Sequence, residues 1–255
     1  MNVVVLAKYV PNPSGTPPEI GPDFRLRRGD QGGLDPGDEP SLEIGLRLVA
    51  EMGGEVAVVS MGPDPAIRAV WRALAFGAHR ATLVTDDSLR GADTLATARV
   101  LAAVIKRRPF DLVVAGLESA DGFTGTLPTA VAELLGVPCM TFARKLLLKD
   151  GTLSIERQTE SGYCVVECSL PALVTVTAGV AAVRVPSLGQ IGRVKQKPVE
   201  RLTLLDLGLR PDDVRPMQEV TAIEFAQEKP PGELVEDEAE APARIMQALK
   251  EARVV

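Results

Sequence analysis

The sequence predicts an α/β fold built on a doubly wound parallel sheet, with additional antiparallel strands and a C-terminal arm. Two observations lead to this prediction. Before Gly136, short apolar runs alternate four times with amphipathic helical segments, at spacings that suit right-handed βαβ crossovers. After Gly136, the apolar runs alternate with polar residues and are separated by Asp-Gly and Ser-Gly turns, which is typical of antiparallel strands.

Four strands and four helices alternate in the first half of the chain. Continuous apolar runs, typical of buried parallel strands, occur in order at residues 3–7, 56–59, 81–84 and 112–115. Segments with apolar side chains at helical spacing follow them, at residues 38–52, 64–77, 92–107 and after Gly125. A segment rich in Pro and Gly, with a possible hairpin at residues 24–27, separates the first strand from the first helix.

The second half of the sequence predicts several strands and one terminal helix, on either side of a long irregular segment. Strands are expected at residues 140–147, 153–157, 164–170, 173–176 and near 220–225. The irregular segment, about residues 180–197, carries Val185, Leu188 and Ile191 among basic residues, and on pattern alone these side chains tuck onto the sheet or stay exposed with equal odds. A terminal helix begins at Pro242. We therefore divide the chain into an α/β domain, residues 1–208, and a C-terminal arm, residues 209–255.

The composition limits the possible classes of protein. With 255 residues, of which 45% are hydrophobic, the chain can bury a substantial core in one large α/β domain or two smaller ones. Its net charge of −6 argues against nucleic acid as a general partner. No apolar run reaches the length of a membrane span and no signal peptide is recognised, so we expect a cytoplasmic protein without membrane insertion.

Few residues offer nucleophilic or metal-binding chemistry. Cys139, Cys164 and Cys168 lack zinc-ligand spacing, and we expect small buried hydrophobic side chains there. His79, the single histidine, is expected on a surface loop. Because the sequence also lacks a GxxxxGK(S/T) loop, a GxGxxG motif and an evident nucleophile–base pair, it favours a binding or carrier protein, without catalytic or metal-ligating residues, over an enzyme.

The stretch from Phe110 to Gly136 carries the strongest signal for a binding site. A buried strand, a loop of small and acidic residues and a helix N-terminus together form an anion site, because free amide groups and the helix dipole favour negative charge. Gly122 and Gly125 lack a Cβ, so a phosphate can approach the backbone there. The competing interpretation is a simple strand-to-helix turn with Asp121 or Thr124 as N-cap.

Four other residues lie where ligands of such a sheet are expected. Ligands of doubly wound sheets bind at the carboxyl ends of the strands. Lys8, Asp35, Met61 and Gly116 all fall at or just after such ends. We therefore expect them near the anion site.

Several motifs together resemble the beta (small) subunit of electron-transfer flavoproteins, and the likeness covers nearly the whole chain. The resemblance depends on their order and spacing: VLAKYV at residues 5–10, LDPGDE at 34–39, SMGP at 60–63, RALAFGA at 72–78, IER at 155–157 with Glu160 and Gly162, and LPALVT at 170–175. It departs from the family pattern at four places. The glutamate of the family signature is replaced near Cys164, and the basic run after the long segment is reduced to Arg193, Lys195 and Lys197. The loop 116–125 is shorter than the common form and lacks its Asn/Gln pair, and Gly37 stands where an aromatic residue is common.

The resemblance implies a Rossmann-like, adenine-nucleotide-binding fold and a heterodimer with an alpha subunit. The beta subunit of this family usually holds a structural AMP and helps to hold FAD, most of which belongs to the alpha subunit. The pair carries electrons from acyl-CoA and other dehydrogenases, as in fatty acid oxidation, to a quinone-linked oxidoreductase. Carried over by position, the nucleotide contacts are Leu6, Ala7, Lys8, Asp35, Pro36, Gly37, Asp38, Met61, Gly116, Leu117, Glu118, Asp121, Gly122, Phe123, Thr124 and Gly125.

The resemblance also implies two contact surfaces for other proteins. Leu188 stands at the leucine of the family's recognition loop, which plugs a hydrophobic pocket on partner dehydrogenases, and Ile191, Arg193 and Lys195 lie beside it. The C-terminal helix, with Ile245, Met246 and Leu249 on one side, is expected to contact the alpha subunit.

Three alternatives stay open or are disfavoured. A bifurcating beta subunit would hold a second FAD in the AMP site, and no sequence feature excludes it. A stand-alone nucleotide-binding protein of the universal-stress type shares the sheet, but the strands after Met140 and the C-terminal helix argue against it. An ATP-pyrophosphatase would carry an SGGxDS-type loop after the first strand, and that loop is absent.

Overall fold

A computed structural model describes residues 1–11, 19–224, 232 and 234–255. The chain forms two compact units, Met1–Val220 and Thr221–Val255. The strands are β1 (Asn2–Leu6), β2 (Tyr9–Pro11), β3 (Gly32–Leu34), β4 (Glu55–Met61), β5 (Arg80–Val84), β6 (Leu112–Gly116), β7 (Cys139–Lys149), β8 (Thr152–Thr159), β9 (Gly162–Ser169), β10 (Ala172–Val176) and β11 (Val199–Leu202). The helices are α1 (Asp38–Met52), α2 (Ile67–Phe76), α3 (Thr94–Lys106), α4 (Leu127–Leu135), α5 (Leu188–Arg193) and α6 (Ala241–Glu251).

The first unit is built on a nine-stranded sheet in the order β11-β5-β4-β1-β6-β10-β7-β8-β9. The strands from β11 to β7 are parallel, and β8 and β9 continue the sheet in antiparallel pairing. β2 and β3 form a separate antiparallel pair. The predicted doubly wound α/β fold with additional antiparallel strands is therefore confirmed.

The sheet separates two hydrophobic cores because successive side chains of a strand point to opposite faces. In β1, Val3 and Val5 pack with the apolar sides of α1 and α2. Val4 and Leu6 pack with α3 and α4 on the other face. All four side chains are buried, which explains why the sequence of β1 is a continuous apolar run and not an alternating one.

The order of the strands determines where a ligand can enter. From β1 the chain moves outward through β4 to β5, then crosses back to β6 on the opposite side of β1. The direction of winding therefore reverses between β1 and β6. At such a switch point the loops after the two strands diverge and leave a crevice at the carboxyl edge of the sheet.

Some local expectations were wrong or only partly met. Cys139, the first residue of β7, and Cys164 are exposed, and Cys168 is half-buried. Cys164 and Cys168 lie in β9, which is the edge strand and is covered over only part of its length. The hairpin expected at residues 24–27 is a turn closed by a single bridge between Ile20 and Leu26. Residues 220–224 form no strand, and the end of that predicted strand, Phe225, lies outside the described residues.

The second unit contains α6, whose first turn carries Pro242, as expected for a helix start. No residue of α6 is buried. Ile245 and Met246 are 58% and 46% exposed, so this helix presents apolar side chains to solvent.

Candidate functional site

The loops that follow β1 and β6 meet at the switch point of the sheet, and Asp35 joins them. Its backbone N–H donates to the carbonyl of Lys8 over 2.9 Å, directly after β1. Its carboxylate accepts the N–H of Gly37 at 2.8 Å and the N–H of Ala120, in the loop after β6, at 2.7 Å. Because the Asp35 side chain is almost fully buried, these bonds hold the turn before α1 against the loop after β6.

Asp38 begins α1 and lies beneath the same loops. Its carboxyl accepts the backbone N–H of Lys8 at 2.7 Å. Burial, and secondarily the charge of Asp35, raise the pKa of Asp38 well above its usual value, although the Lys8 N–H and ammonium oppose the shift. Asp38 therefore retains its proton at pH values where an exposed aspartate is already ionised.

Two cations converge on Asp121 in the loop after β6. The Lys8 ammonium lies 2.6 Å from one carboxylate oxygen and also donates to the hydroxyl of Ser119 over 2.9 Å. The Arg28 guanidinium contacts the other oxygen. Burial alone would raise the pKa of Asp121, but the hydrogen bond from Lys8 and the two positive charges lower it, so this carboxylate is ionised.

The backbone of the loop between β6 and α4 supplies donors for an anion. Among the described residues, no protein acceptor receives the N–H groups of Thr124, Gly125 and Thr126, and all three residues are exposed. They precede the first turn of α4, whose amide groups are also open to a ligand. Gly125 has φ +62°, a left-handed conformation that suits glycine.

The capping interpretation of this loop is wrong. The N-cap of α4 is Thr126, and no side chain caps the helix. Asp121 is occupied by Lys8 and Arg28, and Thr124 lies in the loop ahead of the cap. The N-terminus of α4 therefore keeps its amide groups free, as an anion site requires.

Close backbone contacts explain two of the glycines at the site. A Cβ on Gly116 would lie 2.9 Å from the carbonyl oxygen of Gly37, so the loops can only meet because residue 116 has no side chain. A Cβ on Gly122 would lie 3.0 Å from the Ser119 hydroxyl and 3.5 Å from the Lys8 ammonium. Glycine at residue 122 therefore leaves room beside the Lys8 ammonium.

The structure brings the expected nucleotide contacts to one edge of the sheet. Leu6 and Ala7 are buried at the end of β1, and Met61 is half-buried at the end of β4. Around them lie Pro36 and Gly37 in the turn before α1, and Leu117, Glu118 and the exposed Phe123 in the loop after β6.

Sequence reasoning missed Arg28, Ser119 and Ala120 as parts of this site. Arg28 comes from a segment rich in Pro and Gly that has no periodic pattern, and it meets Asp121 across 93 residues of chain. Ser119 and Ala120 lie inside the loop that was identified, and only the fold shows that they hold Lys8 and Asp35.

The second group of expected functional residues lies on the exposed loop 185–193 and the turn after it. Leu188, the first residue of α5, is 88% exposed, and Ile191 is 46% exposed. Leu188 therefore does not tuck onto the sheet. Arg193 is exposed, and the Lys195 ammonium lies 5.4 Å from the centre of the Trp71 ring.

The side chain of His79 is exposed, as expected, and its Nδ1 accepts the N–H of Val56, at the start of β4, at 3.0 Å. Across the ranges that the structure describes, no helix combines the length and the hydropathy needed to cross a membrane.

Comparison with known proteins gives a consistent result. The family model described as "Electron transfer flavoprotein domain" matches residues 25–207. The electron transfer flavoprotein subunit beta of Thermoanaerobacterium thermosaccharolyticum is 36% identical over 208 residues, which cover 81% of this chain and 80% of the relative. The protein of the same name from Mycobacterium tuberculosis is 33% identical over 264 residues, or 100% and 99% of the two chains. The caffeyl-CoA reductase-Etf complex subunit CarD of Acetobacterium woodii is 35% identical over 214 residues, covering 83% and 82%.

Proposed function

The chain belongs to the electron transfer flavoprotein family, on the side of its beta subunits, and we propose that it binds a structural AMP at the switch point between β1 and β6. The observation that carries this proposal is the group of free amides at Thr124, Gly125 and Thr126, next to the cations Lys8 and Arg28. Free amides at a helix N-terminus recognise a phosphate group. The residues present therefore fit the group that the family binds.

Each element of the site has a separate part in binding. The amides before α4 would hold the phosphate, while Lys8 and Arg28 offset its charge. Asp35 keeps the loop after β6 in place through the N–H of Ala120. The residues at the ends of β1 and β4, Ala7 and Met61, would lie against the nucleoside.

We infer that the chain works as one half of an electron carrier. Its partner is an alpha subunit, and the FAD that supplies the redox chemistry is held mainly by that subunit. The exposed Leu188 would dock on acyl-CoA and other dehydrogenases, and a quinone-linked oxidoreductase would accept the electrons. In this proposal the role of the chain is to bind, orient and dock, while the flavin supplies the redox chemistry.

The nucleotide released from the purified chain tests the proposal. Acid denaturation followed by chromatography should yield one AMP per chain from a colourless protein. A yellow protein with stoichiometric FAD would instead support a bifurcating beta subunit with FAD in the same place. Release of no nucleotide, from protein isolated with its alpha subunit, would contradict the proposed site.

The alpha subunit can be tested in the same preparation. Co-expression should give a one-to-one complex that contains flavin, whereas the beta chain alone should contain none. A beta chain that forms a stable homo-oligomer and does not bind the alpha subunit would favour the stand-alone class of nucleotide-binding proteins.

A further inference from the structure

The exposed loop 185–193 leaves the α/β domain between two anchors. Its middle is solvated: Val185 and Leu188 are 87% and 88% exposed. Pro186 between them is buried, and residues 188–193 form the short helix α5. A docking segment whose base is not fixed loses conformational entropy each time it docks. The residues immediately before and after the loop are bonded to α1 and α2, which indicates how that loss is reduced.

The first anchor is Glu43 of α1. Its carboxylate accepts the Arg184 side chain at 2.7 Å and 3.2 Å, and the Arg184 backbone N–H at 3.3 Å. Arg47, one turn further along α1, donates to Glu43 over 2.6 Å and to the carbonyl of Ala182 over 2.8 Å. Residues 182–184 are therefore tied to α1 through both side chain and backbone.

Glu43 can hold two arginines because its carboxylate stays ionised at neutral pH. The side chain is 3% exposed. Burial alone would raise its pKa, but the hydrogen bonds and charges of Arg184 and Arg47 lower the pKa of Glu43 from 4.5 to about 2. The carboxylate is thus ionised at all physiological pH values. The guanidinium groups of Arg47 and Arg184 are each more than 40% exposed, so they lose little hydration when they pair with it.

The second anchor lies after α5. Val194 is buried, and the Lys197 ammonium donates to the carbonyls of Leu74 and Ala78 over 2.9 Å and 2.7 Å. These carbonyls belong to the C-terminal end of α2, where the helix dipole favours a cation. Both ends of the loop are thus held on helices that pack on the same face of the sheet.

We propose that Glu43 is a positioning residue for partner docking: it holds residues 182–184 so that the exposed loop presents Leu188 in one arrangement. The inference rests on the proposed docking role of this loop. Ordering the base of a loop before binding reduces the entropy lost on binding, which strengthens docking without a new contact. Since α1 also begins at Asp38, one rigid helix connects the nucleotide site with the base of the docking loop.

The test compares Glu43→Gln with Glu51→Gln in the complex with the alpha subunit. Glu51 is exposed at the other end of α1 and serves as the matched control. Flavin reduction by an acyl-CoA dehydrogenase is measured against the concentration of the complex. Glu43→Gln should raise KM by roughly tenfold, because about 1.4 kcal/mol of loop ordering is lost. The limiting rate, the flavin content and the Glu51→Gln values should stay unchanged.

Three further measurements separate the possible failures. Hydrogen exchange at the amides of residues 182–191 should become faster in Glu43→Gln, and this readout needs no partner. Arg184→Gln, which removes the same anchor from the exposed side, should reproduce both effects even if Glu43→Gln folds poorly. Leu188→Ala reports on the docking role itself.

The outcomes are distinct. If Leu188→Ala weakens docking but neither anchor variant changes KM or exchange, Glu43 is not a positioning residue. If Leu188→Ala leaves docking intact, the docking role of the loop fails, whatever the anchor variants do. A proportional fall in the limiting rate with unchanged KM would also overturn the proposal, since a loosened loop alters encounter and not the electron transfer that follows.

Discussion

Asp35 offers the sharpest test of how the site is assembled. Replacing Asp35 by Ala removes the acceptor of two backbone amides, at Gly37 and Ala120, and so disconnects the loop after β6 from the turn before α1. Asp35→Asn keeps one oxygen. We expect that oxygen to stay with Gly37, two residues away, so the Asn variant should lose only the long-range bond to Ala120.

The magnitude follows from the two bonds. A hydrogen bond to a charged group contributes about 1.5–3 kcal/mol, so two of them set an upper limit of about 3–6 kcal/mol. Ala120 is exposed, and water can replace part of what is lost. We therefore expect Asp35→Ala to cost about 2–4 kcal/mol and Asp35→Asn about half as much. For a chain of this size the alanine variant should lower the midpoint of thermal unfolding by on the order of 5–15 °C.

The assay is thermal unfolding followed by circular dichroism, together with the nucleotide retained per chain. Asp64→Ala is the control, because Asp64 is exposed and pairs with Arg201 at 2.7 Å on the surface. An exposed pair of this kind contributes about 1 kcal/mol or less. If Asp35→Ala shifts the midpoint no more than Asp64→Ala does and retains its nucleotide, the two loops are held by other contacts and the reasoning fails.

The other predictions concern docking, assembly, pH and backbone conformation. Leu188→Ala should weaken docking to a dehydrogenase by roughly thirtyfold, as expected for about 2 kcal/mol from one aliphatic anchor, with the thermal midpoint unchanged; a shifted midpoint with normal transfer per folded molecule would mean that the loop is packing. Deletion of residues 242–255 should weaken the complex with the alpha subunit in a titration, and undiminished affinity would exclude this role of the tail. Because the pKa of Glu43 is depressed to about 2, the stability it contributes is present above pH 4.5 and is lost as the pH falls towards 2, so the urea midpoints of wild type and Glu43→Gln should stay apart from pH 7 to pH 4.5 and converge as the pH falls from 4.5 towards 2. Gly125→Val should reduce AMP retention through backbone strain at φ +62°, since the nearest atom to a Cβ there is 3.8 Å away, whereas Gly136→Val, at φ +72° but outside the site, should leave it unchanged.

Much of the first unit could be predicted because its elements are encoded by local patterns. The parallel strands are buried on both faces, so each reads as a continuous apolar run, as at Val3 to Val5. Alternation of such runs with helical segments predicts βαβ units, and their handedness leaves few possible topologies. The position of the site at the carboxyl edge then follows from the fold.

The expectations that the structure overturns, for cysteine burial and for the cap of α4, depend on contacts between residues that are far apart in the sequence. The burial of a cysteine in β9 depends on what covers the edge of the sheet, and Cys164 is exposed there. The side chains expected to cap α4 illustrate the same limit. Asp121 has the right chemistry for an N-cap, but Lys8 and Arg28 compete for its carboxylate from 113 and 93 residues away.

The balance of charge at the proposed nucleotide site bears on whether its acidic residues are compatible with a phosphate. Three aspartates with little exposure surround it, and each is compensated in a different way. Asp35 is held by two amides, burial raises the pKa of Asp38 well above its usual value, and Asp121 is paired with two cations. The amides of Thr124, Gly125 and Thr126 remain without a partner among the site residues that the structure describes, and these donors favour an anion. The Glu118 carboxylate, one oxygen of which would lie 3.8 Å from a Cβ on Gly125, also has no hydrogen-bond partner among those residues. The site therefore offers free donors with one unpaired carboxylate beside them, in a chain whose net charge is −6.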